Sequence, residues 1–207
     1  MVSIVVKHDL DHIRRQLRKY PKKIKYAQKF ALDATAKEVS TAENKAVTKY
    51  IDRPTAFTKR LTLIKKARTQ DLTAIVFIPG RKEEYMQYHI FGGTETKGKA
   101  IAAPVSVKLN KFGNTPKGQR AASLLKKPKH FSGIPKGRSG PAGVWKRMGR
   151  KGGRDKLKLM HVYKPSLHYR KRFPYFKIAE KVVTNVLVRN MNREIKKQMD
   201  YINRSAT

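Results

Sequence analysis

Residues 143–163 read GVWKRMGRKGGRDKLKLMHVY. Val144 to Met148 and Leu157 to Tyr163 each suit an extended strand, and the Lys151-Gly152-Gly153-Arg154 segment between them supplies the residues of a tight reversal. The spacing predicts an antiparallel hairpin with Trp145 on the core side. Trp145 alternates with Val144 within a strand, so a core role is favoured over a base-stacking platform.

The same stretch shows the chain's second peculiarity. Between Glu95 and Glu180 the only acidic residue is Asp155, among twenty-three Lys and Arg and ten of the thirteen glycines. The whole chain of 207 residues has 49 basic against 14 acidic residues, a formal charge of +35. Self-repulsion at that charge works against an isolated compact monomer, so an acidic partner is expected: nucleic acid, an anionic membrane surface or acidic protein neighbours. Hydrophobic residues make up 39%, which implies a modest core. There is no cysteine, so the fold rests on packing without disulfides or thiolate metal sites.

Outward from the hairpin, helical periodicity appears at both ends. Leu10, Ile13 and Leu17 predict a short helix over 9–19 with Asp9 as N-cap. Pro21 ends it and suits the first turn of a long helix over 22–49. That helix presents Ile24, Ala27, Phe30, Ala31 and Ala34 on one face, and its small residues admit close approach of another backbone. Asp52-Arg53-Pro54-Thr55 breaks it. Leu61–Arg68 and Leu72–Ile78 then read as a hairpin, stopped by Pro79-Gly80. A short helix over 83–91 ends at Gly92-Gly93, and 101–109 is extended.

The final element is predicted as a helix from Pro174 to about Asn203. Its apolar face changes halfway. Tyr175, Ile178, Ala179, Val182 and Val186 line one side, while Val188, Met191, Ile195 and Ile202 follow on a side rotated by more than about 90° at 100° per residue. Two faces imply two partners. The first is expected to be the chain's own sheet, and the second a neighbouring subunit.

Helices segregated from antiparallel hairpins make an α+β fold. The expectation is one domain over 1–207: hairpins in a small sheet against the two long helices. Residues 110–142, rich in Gly, Pro and basic side chains, form an extended loop insertion. Within it and the link to the last helix, the candidate DNA or anion contacts are Lys111, Lys117, Arg120, Lys126, Lys127, Lys129, Lys136, Arg138, Arg170, Lys171 and Arg172. Glycines that admit a partner's approach, with aromatics at intervals, suit contact that tracks a polyanion backbone.

Catalytic patterns are missing from the sequence. There is no G-x-x-x-x-G-K-[ST] phosphate loop and no G-x-S-x-G nucleophile elbow. His8 and His12 alternate with Asp9 and Asp11 at a solvated helix start, the other histidines lack metal-ligand spacing, and Glu83, Glu84 and Glu95 read as helix surface. No catalytic residue, cofactor or metal is expected. No apolar run reaches the roughly 18–20 residues of a membrane span. A reader of base sequence is not expected either, since zinc spacing, a GXXG clamp and RNP-type aromatics are all missing.

The order of elements resembles the minor tail protein Z, or tail-completion, family of tailed bacteriophages and the neck proteins related to it. The similarity is carried by Arg53-Pro54-Thr55-Ala56-Phe57-Thr58-Lys59-Arg60 before a basic hairpin ending Ala74-Ile75-Val76, and by Gly143-Val144-Trp145-Lys146-Arg147 with the strand Leu157-Lys158-Leu159. It is carried also by the aromatic segment from Tyr85 to Phe91 closing on Gly92-Gly93-Thr94, and by Pro174-Tyr175-Phe176 opening the last helix. The long 110–142 stretch departs from shorter family members. The resemblance implies a structural virion protein with no catalytic role, assembled in the host cytoplasm. It would form a ring, commonly six-fold, that joins tail to head and lets the genome pass. Its partners would be other tail, neck or portal proteins, with sequence-independent contact to DNA and no membrane. The alternative is a basic nucleic-acid-binding protein of ribosomal type.

Overall fold

The structure, a computed structural model, describes residues 3–6, 21–96, 100–136, 139–151 and 154–205. In chain order the elements are β1 (Ser3–Val6), α1 (Pro21–Tyr50), α2 (Ala56–Lys59), β2 (Leu63–Lys65), β3 (Ala74–Phe77), α3 (Gly80–Phe91), β4 (Gly93–Glu95) and β5 (Ile101–Pro104). A 3-10 turn (Lys117–Gln119) precedes α4 (Ala121–Leu125), β6 (His130–Gly133), β7 (Gly143–Lys151), β8 (Arg154–Lys164), β9 (Leu167–Tyr169) and α5 (Tyr175–Ser205). The fold is α+β, with two long helices and small antiparallel sheets. The helix expected over 9–19 lies outside the described residues, as does the Gly152-Gly153 turn.

Internal contacts divide the chain into two compact units, Met1–Phe91 with Lys171–Thr207, and Gly92–Arg170. In the first, α1 and α5 run antiparallel: Lys23 Nζ lies 3.9 Å from the Tyr201 ring, Ala31 packs with Met191, and Val47 shares a cluster with Tyr175. Alanines at the crossing make this approach possible, Ala27, Ala31 and Ala36 all being buried. A three-stranded sheet in the order β1-β3-β2 covers the pair, with Ala74 and Val76 meeting Leu32, Ala36, Val39, Ala179 and Leu187. Each large apolar side chain buried in this way contributes about 1.5–3 kcal/mol.

Polar side chains of α1 fasten the strand edge. Asn44 Oδ1 accepts from the Leu61 amide at 2.7 Å, and Asp33 Oδ1 from the Ala67 amide at 2.8 Å. Thr55 caps α2 by accepting from the Thr58 amide, and Lys82 Nζ donates to the Arg60 carbonyl beyond its other end. A second cluster joins Leu61, Ile78, Met86 and Ile90 to Phe173 and Tyr175, so the start of α5 is anchored against α3. Gly92, at φ 76°, ends α3 where a side chain would be strained.

The α5 expectation splits. Its first half meets the sheet as predicted from the periodicity. Met191, however, is buried against Ala31 with Ile195 beside it, so the second face is covered by α1 within the chain. For these two residues a subunit contact is corrected to an internal helix contact. Val188 is 59% exposed and remains on the surface, and the Ile202 side chain lies outside the description.

In the second unit, β5, β8, β7 and β6 form a four-stranded antiparallel sheet in that order, and β4 pairs with β9. The hairpin of β7 and β8 forms where the sequence predicts it, longer at both ends. The 110–142 stretch holds the 3-10 turn, α4 and β6. Leu124 of α4 packs on Val144 and Met160, with Val107, Ala121 and Tyr163 around them.

Candidate anion-binding surface

Cross-strand register in the second unit sorts the sheet's side chains into two chemistries. His130 stands opposite Lys146, and Lys146 opposite Lys158. These three therefore leave the same face of β6, β7 and β8, with Lys156 two residues from Lys158 on that face as well. Phe131 pairs with Trp145, Trp145 with Leu159, and Arg147 with Leu157, all on the other face. Register shifts between Val144 and Trp145 and between Arg147 and Arg150 bracket this alignment.

Directly opposed residues of an antiparallel pair have Cβ atoms about 5 Å apart, and like charges there destabilise. The unit has two acids in its sequence, Glu95 and Asp155, against twenty Lys and Arg. Glu95 lies in the separate β4–β9 pair and accepts from the Tyr169 hydroxyl at 3.0 Å. Asp155 is in register with Arg150 at the far end of the hairpin. In the first unit, Arg189 and Glu38 form an ion pair at 2.7 Å.

Around this sheet the structure exposes the predicted contacts Lys111, Lys117, Arg120, Lys126, Lys127, Lys129 and Lys136. Lys117, Arg120, Lys126 and Lys127 gather at the 3-10 turn and α4, closed by Lys127 Nζ donating to the Gly118 carbonyl at 3.1 Å. Buried His161 Nε2 lies 2.8 Å from the Gln119 carbonyl, tying the same turn to β8. Lys129 takes a left-handed φ of 64°, and its carbonyl accepts from the Arg147 amide at 2.7 Å, which fixes the start of β6 on β7. Lys111 sits apart in the Asn110 turn, 5.2 Å from the Phe112 ring. Arg138 lies outside the described residues.

Arg170, the last residue of the second unit, is exposed. Lys171 and Arg172 are exposed in the first unit, where the Arg172 and Phe173 amides both donate to the His89 carbonyl. Burial, and then the nearby Arg172 charge, hold the His89 imidazole below its ordinary pKa. An exposed aromatic pair, Phe91 and Phe176 with centroids 6.0 Å apart, lies in this unit too.

Lys146, Lys156 and Lys158 are absent from the contacts expected from sequence. The alternation Leu157-Lys158-Leu159 carried the signal, because it places the lysines on one side of the strand. Among the described residues no group of His, Cys, Asp and Glu is arranged to hold a metal, and no helix is long and apolar enough to cross a membrane. Comparison with protein-family models, curated proteins and solved structures finds no match to this chain.

Proposed function

We propose that this chain is a structural protein of a tailed-bacteriophage virion, a tail-completion or neck component without a catalytic role. The observation that carries the reading is the alignment of His130, Lys146 and Lys158 across one face of the sheet. Lysines spaced by the strand separation on one face suit contact with phosphates, which carry no sequence information. In a ring, six-fold by the resemblance, such a face on each subunit would line a path for DNA between tail and head or meet acidic neighbouring rings. Of the residues predicted for a subunit contact, Val188 is exposed on α5 and is left for contact between subunits or with other tail, neck or portal proteins. The virion, after assembly in the host cytoplasm, is the proposed location.

Native mass spectrometry and electron microscopy of the full chain, with and without duplex DNA of random sequence, test the reading. Closed rings that bind duplex DNA are expected. A monomer that ignores duplex DNA and binds folded RNA tightly would replace the reading with the ribosomal-type alternative.

A further inference from the structure

The other face of the same sheet is chemically different. Phe131, Ile134, Lys136, Arg147 and Leu157 surround an open groove of about 400 Å³. Its lining mixes apolar and polar side chains, with Pro135 and Ser132 completing it, and Ile134 is 63% exposed although it is one of the chain's large aliphatic side chains. Two cations, Lys136 and Arg147, stand at the groove. The Arg147 guanidinium carbon lies 5.4 Å from the Phe131 centroid, over the ring.

That stacking decides between two classes of partner. A nucleic-acid base stacking on Phe131 would have to compete with the Arg147 guanidinium placed over that ring. What remains is aliphatic, from Ile134 and Leu157, and suits an aliphatic side chain better than a base. Arg147, placed over the ring, carries the planar fork of donors that matches a carboxylate. A groove that sets the aliphatic side chains Ile134 and Leu157 beside two cations is complementary to a segment carrying aliphatic side chains next to carboxylates.

We infer that the Phe131–Arg147–Leu157 groove docks an acidic, aliphatic segment of a neighbouring protein, on the opposite face of the sheet from the cationic row. One sheet then holds a polyanion on one side and a protein on the other. The inference does not depend on the DNA-binding role.

The test uses the full chain at about 0.15 M salt, where the Debye length of about 8 Å suppresses long-range attraction. Fluorescence anisotropy would compare a fluorescein-labelled peptide of four Asp-Leu repeats with one of four Asp-Ser repeats. A labelled oligothymidine forms the third arm. The Asp-Leu peptide is expected to bind at least about tenfold more tightly than Asp-Ser, the gain for burying one or two aliphatic side chains. Ile134→Ser, at an exposed position that leaves folding intact by circular dichroism, is expected to remove most of that preference without changing duplex-DNA affinity. Arg147→Gln is expected to weaken both peptides. Equal affinity for the two peptides, or a preference untouched by Ile134→Ser, would overturn the inference. Oligothymidine binding more tightly than Asp-Leu, and lost in Ile134→Ser, would reassign the groove to nucleic acid.

Discussion

Lys146 faces Lys158 directly across the β7–β8 ladder, cation against cation. In an isolated protein this pairing is a cost, of the order of the 0.2–1 kcal/mol by which an opposite-charge pair would favour the sheet. Lys158→Glu converts it to a favourable pair. The variant is expected to unfold at a higher denaturant midpoint, by up to about 1 kcal/mol in stability, while binding duplex DNA more weakly. Urea unfolding and a DNA titration on the same preparation check both halves.

Glu43 lies fully buried on α1 with neither carboxylate oxygen hydrogen-bonded, and burial pushes its pKa up to about 8. An acid whose folded pKa is raised holds a proton in the native state that the unfolded chain has already lost above about pH 4.5. Its contribution is intact below that pH and is lost as pH rises toward 8, a loss on the order of 3–5 kcal/mol by the linkage relation. Glu43→Gln removes the titration. The variant is expected to have an unfolding midpoint flatter between pH 5 and 8 than the parent chain and higher at pH 8, measured by thermal melts across that range.

Gly143 sits where a Cβ would come within 2.2 Å of the His161 carbonyl oxygen, a backbone atom that cannot rotate away. Gly143→Ala is expected to destabilise the second unit by about 1–3 kcal/mol through overpacking. Hydrogen exchange would show faster opening of β7 and β8, with α1 unchanged.

Ala31 and Val188 separate the roles within the long helices. Ala31→Leu inserts three carbons at the buried crossing with Met191 and is expected to cost about 1–3 kcal/mol. Val188→Ser, on the surface, is expected to change the stability of the single chain by less than about 0.5 kcal/mol while weakening any ring. Unfolding curves and sedimentation together distinguish the two effects.

How far the sequence carried this architecture depends on the range of the interactions involved. The long helices and the β7–β8 hairpin follow from local periodicity and turn residues, and Pro21 and Gly92 mark boundaries where they are found. β1 is not legible, because Ser3–Val6 becomes a strand only by pairing with β3, about seventy residues along the chain. β6 was hidden for the same reason: His130-Phe131-Ser132-Gly133 has little strand character, and its ladder with β7 supplies it. The internal cover for Met191 could not be read from the apolar stripe on α5, since a stripe tells that a face is buried but not by what. Ala31, one of the small residues that admit a close neighbour, was the other half of that contact. The charge of the candidate anion surface is visible in composition, whereas the alignment of Lys146 with Lys158 depends on the register shifts on either side of it.

The most direct test of the central claim is the salt dependence of duplex-DNA binding by the full chain and by the double variant Lys146→Gln/Lys158→Gln. If the sheet row holds phosphates, log K falls linearly with log salt, equally for two unrelated sequences of one length. The double variant then lowers the slope by about 1.8, near 0.9 for each phosphate contact removed. An unchanged slope in the variant, or affinity that follows base sequence, would contradict the account.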